Sequence, residues 1–128
     1  MAMNQAIETY RQSNNSYAEG LESPHGRVKI LIETVLAGLD KMIEKHPKTE
    51  FVALGKCLNA ITVLAESLNL KDGGELAQNL LELYDYCKRC LSVYLDTKDV
   101  KKLEEVHSIF TSLIEGWEGI DPKKSNKV

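Results

Sequence analysis

The 128 residues carry a formal net charge of -3, with 43% hydrophobic and 27% charged side chains. This balance is typical of one soluble globular domain, and it gives no electrostatic basis for binding nucleic acid or an acidic membrane surface. No apolar run approaches the ~20 residues that span a bilayer, and the N-terminus lacks the pattern of a signal peptide. Three cysteines in such a chain predict a reduced, cytoplasmic protein without disulfides.

Residues 1–22 are predicted to form a polar, partly ordered N-terminal arm. Ile7 and Tyr10 lie three positions apart, so a helical turn would place them on one side. The Ser- and Asn-rich stretch that follows predicts a loop. A disordered tail is the alternative interpretation of the whole arm.

The first two long helices are predicted from capping residues and apolar spacing. Ser23 is a good N-cap with Pro24 at the first helical position, and the helix should end before Pro47. Between them, apolar residues recur every three or four positions. Thr49 is then expected to cap a second helix that runs to a break at 72–74, where Asp-Gly-Gly interrupts the pattern.

The third helix is predicted to continue to about Leu95, with Thr97 or Asp99 capping the fourth. The fourth should end at Asp121–Pro122 and leave residues 122–128 as a flexible tip. Four amphipathic helices with short connections must run antiparallel to their neighbours. The sequence therefore predicts an all-α fold, an antiparallel four-helix bundle over residues 23–121.

Several apolar residues fall outside the main apolar stripes of the second and third helices. An outward-facing surface of an isolated bundle should be polar there. One explanation is a wide buried face or cover by the N-terminal arm, and the other is an apolar groove that a partner helix fills. These residues are Val52, Ala53, Ala60, Val63 and Leu70, assigned to the second helix, and Leu81 and Tyr86 on the third.

The candidate chemical motifs favour packing over catalysis. Cys87 and Cys90 form a Cys-x-x-Cys pair in the middle of a helix, whereas redox pairs lie at a helix N-terminus, so buried packing residues are favoured. A zinc site built from these two with Cys57 and His107 is a weaker alternative. No phosphate loop or nucleophile motif is present. The prediction is a protein that is not an enzyme and has no catalytic residue, metal or cofactor.

Motifs along nearly the whole chain resemble the flagellin-specific export chaperone family. The strongest are GGELAQNL at 73–80 and LYDY at 83–86, supported by SPH at 23–25, LEEV at 103–106 and EGW at 115–117. Departures from the family pattern are Arg27, the Glu-Thr-Val at 33–35, and Cys87 in place of the usual Met.

The resemblance implies a cytosolic chaperone that binds the disordered C-terminal segment of flagellin, prevents premature polymerisation and delivers it to the flagellar type III export apparatus. It also implies an export gate component and a co-chaperone as further partners, and it gives Ile7 and Tyr10 a role over the flagellin groove and in gate docking. Helical position adds five candidate groove contacts: Val52, Val63, Leu70, Leu81 and Tyr86. The alternative is a non-enzymatic adaptor or regulatory bundle that binds another partner helix.

Overall fold

Four α-helices account for most of the structure, a computed structural model that describes residues 24–119. The predicted all-α four-helix bundle is confirmed. The predicted arm with Ile7 and Tyr10, and the predicted tip at 122–128, lie outside the described residues. The helices are α1 (Pro24–Lys45), α2 (Phe51–Glu66), α3 (Leu70–Thr97) and α4 (Val100–Glu118).

The helices are arranged in a ring in which α1 packs on α2 and α4, and α3 packs on the same two neighbours. Two polar contacts between α1 and α4 fix their relative direction. Lys29 near the start of α1 pairs with Glu118 at the end of α4 at 3.4 Å, and Asp40 lies 2.8 Å from His107. The start of α1 therefore lies beside the end of α4, and the two helices are antiparallel.

Large apolar side chains from all four helices fill the centre. Tyr84 of α3 and Phe110 of α4 stack with ring centroids 6.3 Å apart, and Trp117 and Tyr94 are also buried. Each such burial contributes on the order of 2 kcal/mol relative to an exposed side chain. The buried apolar side chains of α1 all belong to its three-to-four stripe: Val28, Ile32, Val35, Leu39 and Met42.

Capping residues set two helix starts. The prediction that Thr49 caps α2 is wrong, because Glu50 takes that place with an extended backbone and its carboxylate accepts from the Val52 N–H at 3.2 Å. Asp99 caps α4 as predicted and accepts from the Lys101 N–H at 3.1 Å. Both side chains satisfy an N–H group that has no partner within the first turn.

The boundary between α2 and α3 differs from the prediction. The second helix ends at Glu66, and Leu70 begins α3 instead of closing α2. One helical turn therefore precedes the predicted glycine break. The break itself is a non-helical residue inside α3, Gly74, where φ is 60° and ψ is -139°. This conformation favours glycine.

Ala53 and Ala60 are buried, so their assignment to the outer side of α2 is wrong. Both belong to the core cluster, where Cys57 of the same face donates its Sγ hydrogen to the Val35 carbonyl of α1 at 3.4 Å. Small side chains at these positions let α2 approach α1 closely.

Within residues 24–119, no helix combines the length and apolar character needed to cross a bilayer.

Candidate partner-binding groove

An open groove of about 560 Å³ runs between α1 and α2 on the surface of the bundle. It is called the α1/α2 groove here. Its lining combines small apolar residues at the base with longer side chains at the edges. The lining residues are Thr34, Ala37, Gly38 and Lys41 of α1, and Glu50, Val52, Ala53 and Lys56 at and after the start of α2.

Small residues bring the two helices close together at the floor of the groove. A Cβ atom placed on Gly38 would lie 2.5 Å from the Cys57 Sγ and 3.1 Å from the Ala53 carbonyl oxygen. Distances this short leave room only for hydrogen at that position. With Ala37 and Ala53 alongside, the floor carries no long side chain, so an incoming helix can approach the backbone of both walls.

The walls of the α1/α2 groove add apolar surface. Thr34 lines the groove, and its hydroxyl already has a partner, because it donates to the Ile30 carbonyl of its own helix at 2.8 Å. Val52 is 67% exposed, which is unusual for an aliphatic side chain on a helix that also packs into a core.

The apolar surface continues along α2 beyond the lining residues. Val63 lies eleven positions after Val52, about three helical turns further along the same face. It is 41% exposed. On α1, Ile30 lies one helical turn before the lining residue Thr34 and is 47% exposed. The structure therefore brings two predicted site residues, Val52 and Val63, onto one surface.

The other three predicted site residues lie on α3. Leu70 is 47% exposed on the first turn, whereas Leu81 is half-buried and packs against the core cluster. Tyr86 is half-buried and its hydroxyl donates to the Glu105 carboxylate of α4. That hydrogen bond, with smaller effects of Cys90 and of burial, raises the pKa of Tyr86 above its ordinary value of 10.0. None of the three lines the α1/α2 groove.

The cysteines are packing residues in this structure, as the sequence favours. All three are free and buried. Burial raises the pKa of both Cys57 and Cys87 to about 12, with further small contributions at Cys87 from Cys90 and Glu105. Such thiols stay protonated at neutral pH, which is the opposite of a catalytic thiolate.

Metal ligands do not converge in the part of the chain that the structure describes: no group of three or more His, Cys, Asp or Glu side chains could hold an ion there. His107, one member of the zinc alternative, instead faces α1. Its Nε2 lies 2.8 Å from the Asp40 carboxylate, and its Nδ1 lies 3.3 Å from the Thr111 hydroxyl.

Sequence reasoning missed the α1 wall of the groove. Ala37, Gly38 and Lys41 are not part of the apolar stripe of α1, so periodicity gives them no weight. Gly38 does carry a signal, because glycine in a helix interior costs about 1 kcal/mol relative to alanine and often marks a close approach of another backbone.

An all-α bundle with an exposed apolar groove between two helices defines a class of binding proteins that accept a helical segment of a partner. Comparison with known proteins identifies the family of the chain. It belongs to the family described as flagellar protein FliS, whose sequence model matches residues 3–124.

Curated relatives agree with this assignment. The flagellar secretion chaperone FliS of Salmonella typhimurium strain LT2 is 32% identical over 124 residues, covering 93% of this chain and 92% of the relative. The protein of the same name from Vibrio cholerae is 27% identical over 97% of this chain and 94% of the relative. The flagellar secretion chaperone FliSB of Pseudomonas aeruginosa is 28% identical over 90% of this chain and 94% of the relative. No solved structure matches the chain. Family membership supports an export-chaperone role.

Proposed function

We propose that this protein is a cytosolic export chaperone that holds the C-terminal segment of flagellin, prevents its premature polymerisation and delivers it to the flagellar type III export apparatus. The observation that carries the proposal is the α1/α2 groove, in which a small-residue floor adjoins the exposed aliphatic side chains of Val52 and Val63. The family assignment supports the export role.

The groove suits an amphipathic client helix. Such a helix places its apolar face on exposed aliphatic side chains and removes them from water, while its polar face stays solvated. A client segment that is disordered when free loses conformational entropy on binding, which lowers affinity relative to contact area and favours later release. While the segment is bound, its apolar face is unavailable to other flagellin subunits, so premature assembly is prevented.

Leu70, Leu81 and Tyr86 of α3 belong to the same proposal as a second contact region. A segment that binds in an extended path can leave the α1/α2 groove and continue over another helix. Leu70 offers the largest exposed apolar surface of the three α3 candidates, while Leu81 and Tyr86 offer the outer parts of half-buried side chains.

Charge substitutions on α2 test the site. Val63→Glu is expected to weaken binding of a flagellin C-terminal peptide by at least about tenfold, because a carboxylate would lose hydration against the apolar face of the client. Val52→Glu should act in the same direction. Isothermal titration calorimetry measures the change.

The matched control is Val93→Glu. Val93 of α3 is 40% exposed, against 41% for Val63, and it does not line the α1/α2 groove. Its substitution should change affinity less than about twofold with the helical circular dichroism of both variants intact. Equal affinities for the Val63 and Val93 variants would contradict the site. Equally tight binding of flagellin lacking its C-terminal helix would contradict the proposed client.

Delivery is proposed to depend on the arm that carries Ile7 and Tyr10, which lie outside the described residues. The double variant Ile7→Ala/Tyr10→Ala is expected to reduce capture of the chaperone–flagellin complex by the export gate component at least about fivefold, since two apolar anchors are removed. A pull-down with the purified gate component measures this.

The control for the arm is Gln5→Ala/Thr9→Ala, which changes polar positions of the same segment. Direct titration with the flagellin peptide should show that neither double variant loses client affinity. Undiminished capture of the Ile7/Tyr10 variant by the gate component would remove the docking role from these residues.

A further inference from the structure

Two lysines flank the α1/α2 groove from opposite walls. Lys41 belongs to α1 and Lys56 to α2, and both side chains are exposed while lining the same groove. Within residues 24–119, neither ammonium group is paired with a carboxylate. Two cations beside an apolar floor create a local positive potential in a chain whose net charge is -3.

One carboxylate, that of Glu50, belongs to the groove lining. Glu50 lines one end of the groove, where its carboxylate accepts from the Val52 N–H as the N-cap of α2. Asp40, the neighbour of Lys41, lies against His107 on the α4 side of α1. Among the lining residues, the two lysines are therefore the cations, and Glu50 at one end is the single carboxylate.

The antiparallel register fixes how the lysines are offset along the groove. Lys41 lies one turn after Ala37 on α1, and Lys56 lies one turn after Val52 on α2, in the opposite direction. Because the two lysines stand on opposite walls, they can meet opposite flanks of a segment in the groove. Between them, the floor at Gly38 and Ala53 carries no side chain longer than a methyl group, so a bound segment can lie close to the backbone of both helices.

Building on the proposed function, we infer that the segment held in the α1/α2 groove is an amphipathic helix with an apolar contact face and acidic residues on both flanks. Its carboxylates pair with Lys41 on one side and Lys56 on the other. The apolar contact supplies most of the affinity, and the two ion pairs select the register and direction of the client helix.

The inference is tested by removing the two lysine charges and measuring the affinity for a synthetic peptide. The peptide covers the C-terminal segment of the flagellin made by the same organism. Lys41→Gln/Lys56→Gln is expected to weaken peptide binding about 2- to 30-fold at low salt. The salt dependence of the affinity should also become shallower, because exposed ion pairs are screened by salt. The control is Lys45→Gln/Lys48→Gln, which removes the same charge from exposed positions at the same end of α1 but outside the groove.

A charge swap separates direct pairing from general attraction. Lys41→Glu/Lys56→Glu should bind the natural peptide most weakly and should recover binding to a peptide whose flanking acidic residues are replaced by lysine. Equal losses in the groove and control pairs, or no recovery in the swap, would overturn the inference while leaving the proposed function intact if Val63→Glu still weakens binding. Absence of peptide binding to the unaltered protein would instead remove the proposed function itself.

Discussion

Replacing Gly38 by alanine is expected to lower the free energy of unfolding by about 1–3 kcal/mol, the usual cost of forcing one extra carbon into a packed contact. The new Cβ would lie 2.5 Å from the Cys57 Sγ and 3.1 Å from the Ala53 carbonyl oxygen. The α1 and α2 helices would have to separate, or Cys57 would have to leave its hydrogen bond to the Val35 carbonyl. Urea unfolding followed by circular dichroism measures the change.

A second glycine on the same pair of helices is the control. Gly55 lies in α2 with open space around its would-be Cβ. Gly55→Ala should therefore stabilise the protein by up to about 1 kcal/mol, because alanine has the higher helix propensity. If Gly38→Ala lowers the free energy of unfolding while Gly55→Ala raises it, the contact of Gly38 with α2 decides the result at that position, and helix propensity does not.

Cys57→Ala completes a double-mutant cycle. Removal of the sulfur takes away the shorter of the two close contacts but leaves the Ala53 carbonyl in place. Gly38→Ala should thus cost less in the Cys57→Ala background than in the parent, with an interaction energy of about 0.5–3 kcal/mol. The same penalty in both backgrounds would contradict the geometry described for the groove floor.

Periodicity predicted the bundle because long apolar stripes carry most of the information about a helical fold. The spacing in α1 identifies its buried face, and Pro47 limits its end. The α2–α3 boundary was harder, since the glycines at 73–74 mark a backbone conformation and not the length of the preceding helix. A helical turn beginning at Leu70 can form before Gly74, so the break and the helix start do not coincide.

The sequence predicts the α2 wall of the α1/α2 groove but not the α1 wall. Val52 and Val63 stand out in the sequence because they are aliphatic residues outside the stripe of α2. Ala53 and Ala60 seemed equivalent to them, but alanine is common on both buried and exposed helix surfaces, so its direction depends on the neighbouring helix. The opposite wall, with Ala37 and Gly38, exists only once α1 and α2 are packed together.

A steep loss of stability in alkaline solution is the second large effect expected. Burial raises the pKa of Cys57 and of Cys87 from 9.0 to about 12. A folded-state pKa above the unfolded value means that the thiols contribute their full stabilisation below about pH 9 and lose it as the pH rises toward 12. In that window the unfolded chain releases both protons while the folded chain retains them, so each thiol lowers the free energy of unfolding by about 1.4 kcal/mol per pH unit.

Urea titrations at intervals from pH 8 to pH 11 measure this slope, and alanine variants assign it. Cys57→Ala and Cys87→Ala should each lower stability near neutral pH by leaving a small cavity, yet each should decline less steeply above pH 9 than the parent. A residual slope is expected in the double variant, since burial also raises the pKa of Tyr94. Parallel curves for the parent and the Cys57→Ala variant would mean that the Cys57 thiol titrates alike in the folded and unfolded protein, which would contradict its tight packing against α1 at the groove floor.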